Sequence, residues 1–408
     1  MINTKENNVS EAVDNAKALY AYNLTTEYTD SNGNKQSIII FYNDSSLSSY
    51  AQIVADDAKA VFTYFCNTLG FNSPVPDPTA NGVGNTKNYY SIFIDYYLTG
   101  YIHTCNYSFG KENSYITLSP EVIKDGLSSI GLAYALQQGI QRTYKICGNY
   151  DAWIQWGAGN LAAAIYAEYK NTLSTHWEYL ASFVQDYYNT AYGALSAYGV
   201  DDFNRAKSLV WWLDLYQTLG GIEGIKSIYY RINSIRSNYS SYTAFNYMDI
   251  LSAIDLVEKS TVQAGQTRDL RYALERFGYQ SIHGLQSYNM WRGIPCRNVR
   301  VPTRALKLGE TNILTIDYTG YGYYKLSSSP RTVKININVG NADPSNFSCY
   351  IVETSGDIIT WKSTLHQLKN TPFTLTYQFQ SASATDLVIV VENTSLSDSV
   401  PVLLTVGI

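Results

Sequence analysis

The alternation of hydrophobic and polar positions predicts a mixed sheet near the N-terminus of the chain. Strand-like alternation occurs over residues 19–29, 35–43, 89–98 and 114–120. A turn at residues 31–34 separates the first two segments and predicts a hairpin. Apolar residues at helical spacing predict a helix over 46–69, which Ser46 or Ser49 could cap. We therefore expect residues 1–120 to form the α/β part of a domain.

The rest of the chain changes from a helical pattern to a strand pattern. Apolar residues recur at helical spacing over 121–145, 152–171, 175–193, 202–219, 222–234, 245–259 and 266–277. From about residue 298, short alternating segments such as NILTIDY and DLVIVVE are separated by turn residues, which is typical of an antiparallel β-sandwich. We therefore expect an α+β protein, with a helical part over 121–296 and an all-β antiparallel sandwich domain over 297–408.

Composition limits the partners that this chain can bind. Hydrophobic residues make up 45% of the sequence and charged residues only 15%, with a net charge of −5 and no basic stretch. This balance disfavours nucleic acid and anionic membranes as partners. No segment approaches the roughly 18 consecutive apolar residues of a transmembrane helix. The polar N-terminus does not resemble a signal peptide, so we expect cytoplasmic synthesis, with later deposition in an inclusion or spore layer as one hypothesis.

Tyrosine and cysteine are the two residue types that change this picture. The chain contains 38 Tyr but only 13 Phe. Two interpretations stay open: Tyr replaces Phe at half-buried positions, or the surface is specialised for protein contacts. The five cysteines form no C-x-x-C pair, and their odd number excludes a complete set of intrachain disulfides. We expect buried free thiols, with an intermolecular bridge as the alternative.

Two predicted helices that follow a strand ending at Pro120 carry the most functional information. The first contains LAYALQQGIQ (132–141), and the second contains WIQWGAGN (153–160). This arrangement resembles the gluzincin metallopeptidases, whose first helix carries H-E-x-x-H and whose second carries a W-x-x-E-G-x-A-like stretch. The matching framing residues are Gly139, Ile140, Gln141, Trp153, Gly157 and Ala158. The resemblance covers roughly residues 35–280 and implies a zincin-like fold there.

The chemical positions of that family are occupied by other residue types in this sequence. The two zinc-binding histidines correspond to Tyr134 and Gln138, and the glutamate ligand of the second helix corresponds to Trp156. The general-base glutamate corresponds to Ala135, which cannot activate water. Catalytic zinc sites use histidine, carboxylate or thiolate ligands. The resemblance therefore implies a pseudoenzyme with no catalytic residue, no metal and no cofactor.

A metal site built from other residues is disfavoured but stays an alternative. The chain has only four histidines, and no two of them are close in sequence: His103, His176, His283 and His366. Nothing in the sequence indicates a nucleophile elbow or a nucleotide-binding glycine loop. An active metallopeptidase with unrecognised ligands is therefore the weakest of the functional hypotheses.

Four side chains define a candidate residual pocket where the zinc would lie: Tyr134, Gln138, Trp156 and Asn160. We favour a repacked cleft without a ligand, because emptied sites tend to fill to the density of a protein interior. The alternative is a site for a polar ligand such as a sugar, which aromatic rings and amide groups suit.

The sequence leads to one primary functional hypothesis and two alternatives. The lost ligands, low charge, abundant tyrosine and odd cysteine indicate a non-catalytic, self-assembling structural protein of an inclusion, a parasporal crystal or a spore coat. The first alternative is a binding module for a glycan or a protein receptor, including one that belongs to a toxin. The second is the active metallopeptidase.

Overall fold

The computed structural model has the α+β fold expected from the sequence. The chain forms two compact units. The first unit contains Met1–His176 and Tyr216–Ala253, and the second contains Trp177–Leu215 and Ile254–Ile408. The domain limits expected after residues 120 and 296 stay predictions.

The structure describes most of the chain, with gaps. The described residues are 20–80, 88–98, 103–107, 112–148, 151–173, 208–261, 268–281, 288–291, 294–296, 303–327, 331–356, 358–363 and 365–408. The predicted helix 175–193 and the first part of the predicted helix 202–219 lie outside the described residues.

A mixed sheet forms one layer of the first unit. Its strands are β1 (Tyr22–Thr29), β2 (Lys35–Tyr42), β3 (Val75–Pro76), β4 (Tyr90–Ile94), β5 (His103–Tyr107) and β6 (Asn113–Leu118). β1 pairs antiparallel with β2, whereas β2, β4 and β6 run parallel. β5 runs antiparallel beside β6, and β3 pairs parallel with β6. Alternation did not predict β3 and β5, because β3 has two residues and β5 is largely polar.

The carboxylate of Asp30 organises the turn between β1 and β2. It accepts hydrogen bonds from the backbone N–H groups of Asn32 and Asn34, each at 2.9 Å, and from the side chain of Gln36 at 3.2 Å. Gly33 has a φ of 81°, a conformation that glycine adopts without a Cβ clash. The predicted hairpin is confirmed, and it leaves β1 as the terminal strand of the sheet.

The described residues contain eight α-helices, and two of them pack on this sheet. The eight helices are α1 (Ser48–Phe62), α2 (Pro120–Lys124), α3 (Ser128–Thr143), α4 (Ala152–Tyr169), α5 (Leu209–Thr218), α6 (Ile222–Arg236), α7 (Tyr247–Ser260) and α8 (Leu270–Ser281). α1 packs against β1 and β2, while α3 packs against β5, β6 and α4. Nearly every residue of α3 and α4 is buried, so these two helices form the centre of the first unit. None of the helices that the structure describes is long and apolar enough to cross a membrane.

Two features at the helix ends differ from the sequence predictions. The helix expected over 121–145 is broken into α2 and α3, because Gly126 has a φ of 72° and ends the first helical turn. Neither Ser46 nor Ser49 caps α1. Instead, the carboxylate of Asp44 accepts a hydrogen bond from the backbone N–H of Ser46 at 2.8 Å, which caps a short 3₁₀ turn before α1.

A sandwich of two sheets forms most of the second unit, as the alternating segments predict. Its strands are β9 (Arg304–Leu306), β10 (Thr311–Ile316), β11 (Tyr321–Ser327), β12 (Thr332–Asn338), β13 (Phe347–Ser355), β14 (Ile358–Lys362), β15 (His366–Gln367), β16 (Phe373–Gln378), β17 (Asp386–Asn393) and β18 (Val400–Gly407), after a hairpin of β7 (Tyr288–Trp291) and β8 (Ile294–Cys296). One sheet has the order β10-β18-β12-β16, and the other has the order β14-β13-β17-β11-β9 with β15 beside β13. Both sheets contribute to one aliphatic core that includes Ile335, Ile351 and Val402.

The two sheets of the sandwich differ in what covers their outer faces. In β10 and β12, buried and solvent-facing positions alternate along the strand. Every position of β17, and every position of β13 except the last, is buried. On β11 of the same sheet, the hydroxyl of Tyr321 donates a hydrogen bond to the carbonyl of Leu274 in α8 at 3.0 Å. Burial on both faces explains why β17 shows a continuous apolar run instead of alternation.

Candidate functional site

Glycine at position 159 sets the distance between α3 and α4 beside the first candidate residue. A Cβ atom on Gly159 would lie 3.0 Å from Cδ2 and 3.1 Å from Cε2 of Tyr134. Such distances are shorter than a normal packing contact, so only glycine lets the Tyr134 ring lie directly on the backbone of α4. The ring of Tyr134 therefore packs against the second helix.

A second contact fixes the direction of the two helices. The side-chain Nε2 of Gln141 donates a hydrogen bond to the carbonyl of Ile154 at 3.3 Å. Residue numbers rise along α3 from Tyr134 to Gln141 while their contacts on α4 fall from 159 to 154, so the helices run antiparallel. Gln138 lies between the two contacts on α3, and Trp156 lies between them on α4. Three of the four family positions therefore lie on two antiparallel helices that pack against each other.

The burial of the candidate residues differs between the positions. Tyr134 is 8% exposed and Gln138 is 7% exposed, while Ala135 is completely buried. Trp156 is half-buried. Asn160 follows Trp156 by one helical turn on the same helix and is 2% exposed. Three of the four candidate residues are therefore buried, and none of the four carries a charge.

Two amides of this region have unused hydrogen-bonding capacity. No hydrogen bond joins the side chain of Gln138 or of Asn160 to another described residue. No atom of either amide is among the fully buried polar atoms that lack a partner, so both amides can still be reached by solvent. The amide groups of these two side chains are therefore not occupied by another described residue.

A neutral hydrogen-bond network lies beside the same helices. The Nε2 groups of Gln137 and Gln141 both donate to the hydroxyl of Tyr229 in α6, each at 3.0 Å. Burial raises the pKa of Tyr229 to about 12, so its hydroxyl is protonated at neutral pH. The Oε1 atoms of both glutamines are buried without a hydrogen-bond partner among the described residues. This network joins α3 to α6 without a charge.

A charged cluster holds the C-terminal end of α6. The guanidinium of Arg236 donates to both carboxylate oxygens of Asp151, at 2.5 and 2.7 Å, and to Asp249 at 3.1 Å. It also donates to the carbonyls of Lys145 and Asn246, at 2.8 and 3.0 Å. Arg236 and Asp151 are completely buried. The cluster ties α6 to the segment between α3 and α4 and to the start of α7.

Metal-ligating residues do not come together in the part of the chain that the structure describes. No group of three or more His, Cys, Asp or Glu residues among them could hold a metal ion. His103 lies in β5 and His366 in β15, whereas His176 and His283 lie outside the described residues. The expected loss of the zinc site stays a prediction.

The described cysteines behave as the composition predicts. Four free thiols are buried: Cys66, Cys105, Cys147 and Cys349. Burial raises the pKa of Cys66 to about 12 and that of Cys105 to about 11, so these thiols are not reactive thiolates at neutral pH. The prediction of buried free thiols is confirmed for these four residues. The side chain of Cys296 lies outside the described residues.

Sequence reasoning missed the partners that organise this region. Tyr229 and Arg236 lie nearly a hundred residues after α3, and nothing in the local pattern of α6 links them to it. A sequence signal existed only for Gly159, because glycine in the middle of a helix costs about 1 kcal/mol relative to alanine and needs a packing reason.

Comparisons with known proteins give little beyond this geometry. No protein-family model and no curated protein matches the chain. A solved pre-peptidase C-terminal domain of a collagenase from Bacillus anthracis is 12% identical to this chain, with a TM-score of 0.20. The similar region covers 26% of this chain and 97% of that domain. Aminopeptidase A from Legionella pneumophila, solved in complex with aspartic acid, is 12% identical with a TM-score of 0.38. The similar region covers 88% of this chain and 36% of the aminopeptidase. Both TM-scores are too low for either likeness to carry an argument about function.

Proposed function

We propose that this protein is a non-catalytic, metallopeptidase-like protein that acts by self-association as a structural component. The settings that fit such a role are an inclusion, a parasporal crystal or a spore coat. The observation that carries the proposal is the distribution of exposed aromatic rings over the two units.

In the part of the chain that the structure describes, exposed tyrosines are concentrated in the first unit. Among the described residues, the large hydrophobic side chains exposed there include six tyrosines: Tyr22, Tyr96, Tyr97, Tyr169, Tyr230 and Tyr239. Those exposed in the described part of the second unit are aliphatic: Leu256, Leu308, Ile313 and Ile408. Tyrosine is enriched in protein interfaces, because it contributes a large contact area and a hydroxyl with few rotatable bonds. This distribution supports the contact-surface interpretation of the high tyrosine content.

Several of the exposed rings are already held by neighbouring rings. Tyr169 stacks on Tyr64 with ring centroids 4.2 Å apart, and Tyr22 stacks on Tyr42 at 5.4 Å. A ring that is fixed before binding loses less conformational entropy in an interface. The stacked pairs therefore favour association of the first unit with another protein surface.

The non-catalytic part of the proposal rests on the helix pair. Tyr134, Gln138 and Trp156 occupy the ligand positions of the family resemblance, and Ala135 occupies the position of the base. Metal analysis of the purified protein tests this directly, and we expect less than about 0.1 zinc per chain at a site that lacks three protein ligands. Zinc at one equivalent, lost together with peptidase activity on chelation, would instead establish the active metallopeptidase.

Sedimentation velocity tests self-association. We expect the wild-type protein to form assemblies between pH 6 and 8 that dissociate near pH 10.5, because an unperturbed tyrosine ionises at about pH 10. The double variant Tyr97→Ser/Tyr169→Ser should weaken association about tenfold. The matched control Leu308→Ser/Ile313→Ser removes exposed hydrophobic area from the second unit and should associate like wild type. Wild-type protein that stays monomeric at high concentration over pH 6–8 would refute the proposal.

A second candidate function is binding of a neutral polar ligand, such as a glycan or a polar group of a protein receptor, in the pocket of Tyr134, Gln138, Trp156 and Asn160. The amides of Gln138 and Asn160, which make no hydrogen bond to a described residue, favour it. A glycan array identifies a ligand, and Gln138→Leu/Asn160→Leu should abolish its binding without unfolding the protein. An array without any bound glycan removes the glycan form of this candidate.

A further inference from the structure

The outer edge of β1 offers backbone groups to another strand. β1 is the terminal strand of its sheet, and no other strand among the described residues pairs with its free edge. It is eight residues long and contains neither proline nor lysine. Proteins commonly protect long edge strands with these residues or with bulges, because an open edge is a template for a further strand. β1 has no proline, lysine or bulge, and Glu27 is the one charged residue in it.

The hairpin register shows which residues of β1 face outward. Asp30 donates its backbone N–H to the carbonyl of Asn34 at 3.0 Å, so this pair is hydrogen-bonded across the turn. In an antiparallel pair, hydrogen-bonded and non-bonded positions alternate along the strand. Asn23, Thr25 and Glu27 therefore direct their N–H and C=O groups away from β2 and toward the free edge.

One end of this edge is already closed. The side chain of Asn67 donates a hydrogen bond to the carbonyl of Thr29 at 2.9 Å, so that carbonyl is not open to another strand. The stretch that remains open runs from Asn23 to Glu27 and has Thr25 at its centre. All three outward-directed residues are exposed, and Glu27 is the one charge among them.

We propose that β1 pairs antiparallel with β1 of a second copy of this chain, around a two-fold axis at Thr25. The proposal rests on the proposed self-association and names a surface for it. Thr25 then faces Thr25 of the second copy, and Asn23 faces Glu27 in both directions. The three facing pairs exchange about six backbone hydrogen bonds.

Side-chain complementarity selects this register over its neighbours. With the axis at Thr25, each Asn23 amide donates to a Glu27 carboxylate across the interface. A shift that brings the two Glu27 side chains opposite each other places like charges in a directly facing pair, which is destabilising. A shift that centres the pairing closer to the turn requires the Thr29 carbonyl that Asn67 occupies.

Engineered cysteines test the register. Hydrogen-bonded residues in an antiparallel pair lie about 5.5 Å apart at Cα, within the range that a disulfide can bridge. Thr25→Cys should therefore form a symmetric disulfide dimer under mild oxidation. Asn23→Cys should not, because two copies of position 23 are roughly 13 Å apart along the strand at about 3.3 Å per residue. Both variants are made in a Cys296→Ser background, which excludes disulfides through that residue.

A backbone substitution tests the hydrogen bonds. Thr25→Pro removes an N–H that faces the free edge, so it leaves the β1–β2 pairing intact, and Thr25→Val keeps the N–H as a matched control. We expect Thr25→Pro to weaken association roughly tenfold to a hundredfold, since one hydrogen bond is lost from each copy. Thr25→Val should associate like wild type.

The outcomes separate this proposal from the one on which it rests. Wild-type protein that is monomeric over pH 6–8 refutes self-association itself. Assemblies that form in the wild type, persist in Thr25→Pro and give no Thr25→Cys crosslink refute only the pairing of β1. If Thr25→Pro does not fold, as judged by circular dichroism, the crosslinking pair of variants decides alone.

Discussion

The charged cluster at Arg236 and the amide of Gln138 lie in the same unit, but their polar groups differ in how completely they are hydrogen-bonded. Arg236 makes hydrogen bonds to two carboxylates and two carbonyls. The Gln138 side chain makes none to a described residue. Polar groups in the cluster are fully paired, as buried charges require, whereas those in the cleft are neutral and only partly paired.

This contrast shows where the first unit needs polar side chains for its stability. A buried charge is tolerated only with well-placed partners, so the residues around Arg236 depend on one another. Neutral amides carry a smaller penalty when they are unpaired, so the cleft can keep side chains that the fold does not require. In the family that the helix pair resembles, charged and metal-binding groups occupy the cleft. In this chain, the buried charge of Arg236 belongs to a different cluster from the Gln138 amide.

The largest expected effect is at the charged cluster. Asp151→Ala leaves the Arg236 guanidinium with an unpaired side, and we expect the free energy of unfolding to fall by about 3 kcal/mol or more. Urea denaturation followed by tryptophan fluorescence measures the change. Glu223→Ala is the matched control, because it removes an exposed ion pair with Lys226 and should cost less than about 0.5 kcal/mol. Equal losses in both variants would contradict the contrast.

A smaller loss is expected at the close approach of α3 and α4. Gly159→Ala places a Cβ about 3 Å from the Tyr134 ring and should cost about 1–3 kcal/mol, although alanine is the better helix former. Thermal unfolding measures the effect. Adding Tyr134→Leu should recover part of it, because the ring is the group that clashes. A more stable Gly159→Ala protein would mean that the helices are not held at this distance.

The neutral network beside the cleft should contribute less than the charged cluster. Tyr229→Phe removes the oxygen to which the amides of Gln137 and Gln141 donate, so we expect a loss of about 1–2 kcal/mol. Urea denaturation again reports it. The double variant Gln137→Leu/Gln141→Leu in the Tyr229→Phe background should restore part of the stability, because no unpaired amide then remains and only the Gln141 bond to the Ile154 carbonyl is lost in addition. Failure of that restoration would argue against the network as the cause.

The smallest effect is expected in the cleft itself. Gln138→Leu should change the free energy of unfolding by less than about 0.5 kcal/mol, because its amide makes no hydrogen bond that the substitution would break. Gln141→Leu is the matched control on the same helix and should cost about 1 kcal/mol, since it breaks two hydrogen bonds. A large loss from Gln138→Leu would show that the cleft is structural.

Local pattern was sufficient for much of the fold but not for the site. The β1–β2 hairpin, the helices from α3 to α8 and the alternating strands β10 and β12 follow from periods of two and 3.6 residues. The break at Gly126 and the cap at Asp44 were missed, because each depends on a single backbone conformation that a periodic pattern does not contain. The positions of Tyr134, Gln138 and Trp156 came from a resemblance, and the contacts at Gly159 and Gln141 show only that their two helices pack together.

The sequence by itself determined the order of elements, the low charge, the excess of tyrosine and the absence of family ligands at Tyr134, Gln138 and Trp156. These are properties of residue type and spacing, so no folding is needed to read them. Tertiary structure alone decided that Tyr229 pairs with two glutamines of α3, that Arg236 holds Asp151, and that the exposed tyrosines among the described residues lie in one unit. These contacts and exposures depend on which segments, distant in sequence, pack against each other. That packing exists only in the folded chain.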